Sequence, residues 1–192
     1  EGARQVVVID NLFLGEEQNL ADAVQKGAQL YRDDAESMAS LEVIMTDHAV
    51  DIVFNCATKA LAHSFTNPAN AFMVNPRITI NLLELQRRGT FSTLVHFSTS
   101  EVYGSAIYEP MDENHPLNPT TPYAAGKGAA DFAVQSYAKT FGLDCLIVRP
   151  FNNYGPRQNW KGPLAAVIPH NVQRLLAGGR PVIHGTGLQR RD

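Results

Sequence analysis

Cysteine is nearly absent from this chain of 192 residues: only Cys56 and Cys145 occur. Each sits inside an apolar, strand-like run. This argues against a disulfide scaffold and predicts two buried thiols in a reducing, cytoplasmic setting. No apolar run approaches the roughly 18–20 residues that a membrane-spanning helix needs, so no membrane association is expected. The first residues, Glu1-Gly2-Ala3-Arg4, do not resemble a secretory leader. An excess of positive charge is also missing. The formal net charge is −3 and the pI about 6.1, so no nucleic-acid partner is expected. The six histidines are scattered with no HxxxH pair, and no metal site is expected. Repeats, low-complexity tracts and linker-like stretches are lacking as well. Hydrophobic residues nevertheless make up 44% of the chain, enough for a real core.

Strand-like and helix-like segments alternate. Strands are predicted over Arg4–Asp10, Asp51–Ala57, Thr93–Phe97 and Asp144–Val148, with a short one starting at Val182-Ile183. Helices are predicted over Glu36–His48, Asn67–Arg88, Thr121–Phe141 and Leu164–Leu176. The strands read as near-continuous apolar runs without in/out alternation. That pattern predicts a parallel sheet covered by helices on both faces, the Rossmann-like doubly wound α/β class. The expected division is a dinucleotide-binding domain over residues 1–150 and the start of a substrate-binding region over 151–192.

Two clusters carry chemistry. In Thr121-Pro122-Tyr123-Ala124-Ala125-Gly126-Lys127, Pro122 suits a first helical turn, and Tyr123 and Lys127 are four apart on one helix face. A lysine cation near a phenol favours the phenolate, so Lys127 is expected to lower the Tyr123 pKa and make it a usable general base. The alternative is an unremarkable surface Tyr and Lys. The second cluster, Ser98-Thr99-Ser100-Glu101, follows a strand directly. Ligands of open parallel sheets bind beyond the carboxyl ends of strands. The alternative is a turn or a helix cap.

FSTSEVYG, then TPYAAGK with Tyr123 following Thr99 by 24 residues, then VRPFNNYGPRQ, form an ordered set. On these motifs the chain resembles the extended short-chain dehydrogenases, the NAD-dependent epimerase/dehydratase family, over nearly its whole length. The resemblance implies an enzyme that oxidises a nucleotide-sugar C4 hydroxyl with NAD. Tyr123 would take the hydroxyl proton and Thr99 would hold the sugar oxygen. Lys127 would tune Tyr123 and hold the nicotinamide ribose, with Ser100 and Glu101 as further catalytic groups. It also implies cofactor contacts from Asp10, Asn11, Asp33, Asp34, Cys56, Ala57, Thr58, Asn75, Ser98 and Pro150. Asp10 would bind the adenosine ribose and favour NAD over NADP. Asn152, Val167 and Arg191 would hold the substrate, the arginine by clamping its diphosphate. A homodimer is implied through the helices at 67–88 and 121–141.

Glu101 leans the implied reaction toward a 4,6-dehydratase, because a carboxylate there could remove the C5 proton once C4 is a ketone. The Thr-Ser-Glu order resembles sugar-nucleotide 4,6-dehydratases. It also resembles UDP-glucuronate decarboxylases, although those carry a YDEGK-like segment where this chain has Tyr-Ala-Ala-Gly-Lys. If Glu101 only caps the loop, a 4-epimerase remains. A non-catalytic NAD- or sugar-nucleotide-binding relative is the alternative from another class. The chain departs from the family in lacking its first strand and glycine-rich GxxGxxG turn, and in ending before most of the substrate domain. These 192 residues are therefore expected to be part of a longer enzyme, with an unfilled slot between the strands at Arg4–Asp10 and Asp51–Ala57.

Overall fold

The computed structural model describes residues 2–161, 165–183 and 185–188. Its elements run β1 (Val7–Ile9), α1 (Ala21–Gln25), β2 (Gln29–Tyr31), α2 (Met38–Asp47), β3 (Ile52–Asn55), α3 (Pro68–Arg87), β4 (Thr93–Phe97), α4 (Pro122–Phe141), β5 (Asp144–Val148) and α5 (Val167–Leu176). Short 3-10 turns occupy Glu17–Leu20, Leu61–Phe65 and Ser100–Tyr103. The described residues fall into two compact units. One is Pro116–Arg149 with the described residues up to Ser105; the other is Ala106–His115 with those from Pro150 onward.

In the first unit all strand pairing is parallel. β1 pairs with β2, Val7 opposite Gln29. β4 lies between β3 and β5, so that Phe54, Val95 and Leu146 form one cross-sheet row. β1 and β3 belong to separate sheets, which is the arrangement the unfilled slot requires. The fold class is therefore the expected Rossmann-like α/β one.

The expected cover on both faces is not found among the described residues. Burial alternates along β3 and β4. One face sends Val53, Leu94, Cys145 and Ile147 into a core made with Leu41, Met45, Val74, Ile78, Leu82, Leu83 and Val134 from α2, α3 and α4. Full burial of such a side chain contributes about 1.5–3 kcal/mol. The other face leaves Phe54 64% and Leu146 56% exposed.

The two long helices are well specified locally. Asn67 caps α3 by accepting from the Asn70 N–H, and Thr121 caps α4 by accepting from the Ala124 N–H at 3.1 Å. Pro68 and Pro122 take first-turn positions, where a missing N–H costs nothing. Gly142, with φ +67°, ends α4 in the left-handed conformation. Pro76, inside α3, cannot donate to the Phe72 carbonyl four residues back. Gly126 of α4 packs against that same carbonyl, where an added Cβ would collide with it. The proline thus frees an acceptor and the glycine lets the second helix close on it, by a contact of the Cα–H to oxygen kind.

In the second unit, Val182-Ile183 is not a strand. The Val182 N–H donates to Asn171 Oδ1 at 2.7 Å and its carbonyl accepts from Asn171 Nδ2 at 3.3 Å. A side-chain amide takes both backbone groups that a neighbouring strand would have used.

Candidate active site at the carboxyl ends of the strands

α4 starts where it does because its first turn is held twice, by the Thr121 cap and by the Tyr123 N–H donating to Ser64 Oγ at 3.0 Å. This seats Tyr123 beside the loop that leaves β3 and the turn that leaves β4. The Thr99 and Thr58 hydroxyls both bear on the titration of its phenol. Thr58 in turn donates to Asn75 Oδ1 at 2.8 Å, and Asn75 Nδ2 donates to the Ala71 carbonyl at 3.0 Å. Asn75 is buried and ties α3 to the Ala57-Thr58 segment. Thr99 caps the Ser100–Tyr103 turn, its Oγ1 accepting from the Glu101 N–H at 3.3 Å. The capping alternative for this cluster is therefore realised.

The titration of Tyr123 differs from expectation. Burial pushes the phenol above its ordinary value, the neighbouring Thr99 and Thr58 hydroxyls pull it down, and the Glu101 charge pushes it up. The net direction is upward, and Lys127 takes no part. Lys127 is buried and donates from Nζ to the Phe97 carbonyl at 2.7 Å. Burial depresses its ammonium to about 8, against the opposing pull of Asp131 and Cys56. The expectation that Lys127 lowers the Tyr123 pKa is thus corrected: the lysine turns toward the backbone of β4, and the hydroxyls do the lowering. The thiols are corrected too. Cys56 lies just past β3 and is exposed, although its thiol is withdrawn enough for burial to push it up. Cys145 is half-buried and its Sγ donates to Gln86 Oε1.

The other expected cofactor residues gather at the ends of β1 and β2. Asp10 Oδ1 accepts from the Leu12 N–H at 2.7 Å, in a turn where Leu12 has φ 56°. Asn11 Nδ2 donates to Asp34 Oδ2 at 2.9 Å, and Asp33 Oδ1 accepts from the Asp34 N–H. Ser98 is buried, and its N–H donates to the Val148 carbonyl. In the second unit, Pro150 is half-buried, Asn152 is exposed and Val167 opens α5. Arg191 lies outside the described residues.

Sequence reasoning missed the groups behind this edge. Asp131, 0% exposed, accepts from Arg149 Nε at 2.8 Å on Oδ2, and Arg149 Nη1 donates to the Tyr103 hydroxyl at 3.0 Å. His96 Nε2 stands 3.6 Å from Asp131 Oδ1, beyond hydrogen-bond range. Its Nδ1 meets Asn55 Nδ2 at 3.1 Å, and Asn55 reaches Thr79. Asp131 stands four residues after Lys127, as Lys127 does after Tyr123, so the helix spacing was a signal that could have found it.

Phenol and hydroxyls thus lie where parallel strands end, with the Lys127 ammonium on the Phe97 carbonyl at the end of β4 and a second group of carboxylates and an amide at the ends of β1 and β2. Comparison with known proteins agrees with that reading. The family model "NAD dependent epimerase/dehydratase family" matches residues 1–192. The chain is 33% identical over its whole length to a dTDP-glucose 4,6-dehydratase of Streptomyces antibioticus and spans 56% of that protein. Among solved structures, 98% of the chain superposes on UDP-glucose 4-epimerase from Thermotoga maritima with UDP-glucose, at a TM-score of 0.90, 30% identity and 60% of that chain. It superposes equally fully on a dTDP-glucose 4,6-dehydratase from Streptomyces venezuelae with NAD bound, at 0.87, 32% identity and 58% of that chain. Less than two thirds of each relative is spanned. With the family model matched from end to end and the fold shared with enzymes of both kinds, the chain belongs to the NAD-dependent epimerase/dehydratase family.

Proposed function

We propose that this chain carries the catalytic part of an NAD-dependent nucleotide-sugar 4,6-dehydratase. The observation that carries the reading is the position of Glu101 in the turn that leaves β4, two residues after Thr99 and with its N–H on the Thr99 Oγ1 at 3.3 Å. Two proton acceptors beside one hydroxyl-binding position suit a reaction that oxidises one carbon and deprotonates the next.

The residues present fit the cofactor. Acidic and amide groups at the ends of β1 and β2 are joined by the Asn11–Asp34 bond, and the Ser98 hydroxyl is buried without a hydrogen-bond partner. Asp10, Asn11, Asp33 and Asp34 would hold the adenosine end. Thr58, Ser98, Lys127 and Pro150 would hold the nicotinamide end. NAD, when bound, supplies the hydride acceptor. As the phenolate, Tyr123 would take the proton of the sugar C4 hydroxyl, while Thr99 would hold its oxygen. Glu101 would remove the proton at C5 and pass it to the C6 hydroxyl, which departs as water; return of the hydride to C6 and of the Tyr123 proton to C5 would restore both residues and leave a net loss of one water. Asn152 and Arg191 are assigned to the nucleotide diphosphate, and Val167 to the substrate.

The test is incubation of the full chain with NAD and a panel of UDP-, GDP- and dTDP-sugars, following products by mass. Loss of one water is expected. Glu101→Gln should stop that loss while NAD reduction continues. An unchanged sugar mass with inverted stereochemistry would replace this reading by 4-epimerase, which the superposition on the Thermotoga enzyme favours. Loss of carbon dioxide would mean a decarboxylase. α3 and α4 expose Phe72, Met73, Ile80 and Phe132, and these support a homodimer through both helices. A monomeric mass in solution would contradict the dimer.

A further inference from the structure

Behind the reactive edge lies a closed group of ionisable side chains that the proposed chemistry does not use. Lys127 is 2% exposed, His96 1% and Asp131 0%. Three elements meet there: α4 brings Lys127 and Asp131, β4 brings His96 and the Phe97 carbonyl, and the end of β5 brings Arg149. Cys56, just past β3, and Tyr103, ending the turn that begins at Ser100, complete the surrounding titratable groups. Burial keeps His96 below its ordinary value, so at neutral pH its imidazole adds no charge. The buried charges are then two cations, Lys127 and Arg149, and one anion, Asp131. An uncompensated buried cation loses its proton where it can. Arg149 cannot lose its proton, but Lys127 can.

We propose that Asp131 is a positioning residue that keeps Lys127 charged beneath Tyr123 and, through Arg149 and Tyr103, holds the turn that carries Thr99. This rests on the reading of Tyr123 and Lys127 as the reactive pair. The carboxylate is suited to the task. Burial alone would push it up, but His96, Ser98 and Arg149 bring it below the ordinary carboxylate range, so it stays ionised at neutral pH. Its Oδ2 is fixed by Arg149, while Oδ1 has no hydrogen-bond partner and remains an uncommitted acceptor inside the cluster. The Lys127 ammonium spends its hydrogen bond on the Phe97 carbonyl, so Asp131 acts on it through space and not as a contact partner.

The experiment is a pH titration of the Lys127 Nζ by nitrogen-15 NMR in the full chain and its Asp131→Asn and Asp131→Glu variants. It is run beside the pH profile of NAD reduction with dTDP-glucose and UDP-glucose. In Asp131→Asn the Lys127 midpoint and the basic limb of the profile should both fall by about one pH unit or more, the usual effect of removing a nearby opposite charge. Asp131→Glu should restore both. Equal midpoints in wild type and Asp131→Asn would overturn the proposal. So would a wild-type Lys127 that titrates at an unperturbed value, a measurement needing no variant to fold. If Tyr123→Phe still reduces NAD, the reading of the reactive pair fails instead, and the NMR midpoints still decide the coupling to Asp131.

Discussion

The two polar groups that meet at the end of β4 are built in opposite ways. Tyr123, Thr99 and Thr58 are half-buried hydroxyl groups, with Thr99 bonded to the Glu101 N–H and Thr58 to Asn75. Lys127, Asp131 and His96 are sealed from solvent, carry charge or could carry it, and are held by backbone carbonyls and by Arg149. Hydroxyls can exchange partners with a substrate at little cost, because each bond they lose is replaced. Buried charges cannot: removing one partner leaves another unpaired, at a cost of several kcal/mol. The first group is therefore placed for chemistry and the second for holding a fixed electrostatic environment. Substitutions in the two should fail differently.

The largest expected effect is on turnover. Tyr123→Phe removes the proton acceptor and should lower the rate by a factor on the order of 10²–10⁴, the usual contribution of a positioned acid or base. Its stability should change by less than about 1.5 kcal/mol, because only the phenol's hydrogen bonds are lost. Stopped-flow NAD reduction beside a urea melt would measure both. A variant that keeps its rate but unfolds easily would reverse the roles assigned to the two groups.

Much of this contrast was legible in the sequence on one side only. The reactive edge was written locally. Thr99 follows a strand that is bounded as its residues imply, and Tyr123 follows a capped, proline-started turn, so pattern and motif found both. α3 and α4 were legible for the same reason, with Asn67 and Thr121 as caps. The charged cluster was less so, because it is assembled from α4, β4 and the end of β5: the spacing of Asp131 after Lys127 marked one helix face, but nothing local marked His96 or Arg149 as its partners. β2 was missed because three residues with little apolar character, Gln29–Tyr31, fall below the length at which alternation can be read. The apolar strands correctly implied a parallel sheet. They do not tell which residues cover its second face, where Phe54 and Leu146 are exposed among the described residues.

The next effect sharpens the contrast through stability. The Lys127 ammonium titrates at about 8 in the folded chain, against an ordinary 10.5. Between those values the unfolded chain binds the proton and the folded chain has lost it, so stability must rise with pH across that window. The full difference amounts to about 3 kcal/mol at 1.36 kcal/mol per unit. Below about pH 8 both states carry the proton, and the folded state bears the whole cost of a buried cation. Lys127→Met removes the titrating group, so the gain in stability from pH 8 to pH 10.5 should be smaller than in wild type by roughly that amount. Urea melts of the two proteins at matched pH check this, and taking their difference cancels the titration of the other groups. Parallel curves would mean that the folded lysine keeps its ordinary affinity for the proton. The second group would then be solvated like the first, and the distinction between a reactive edge and a sealed support would collapse.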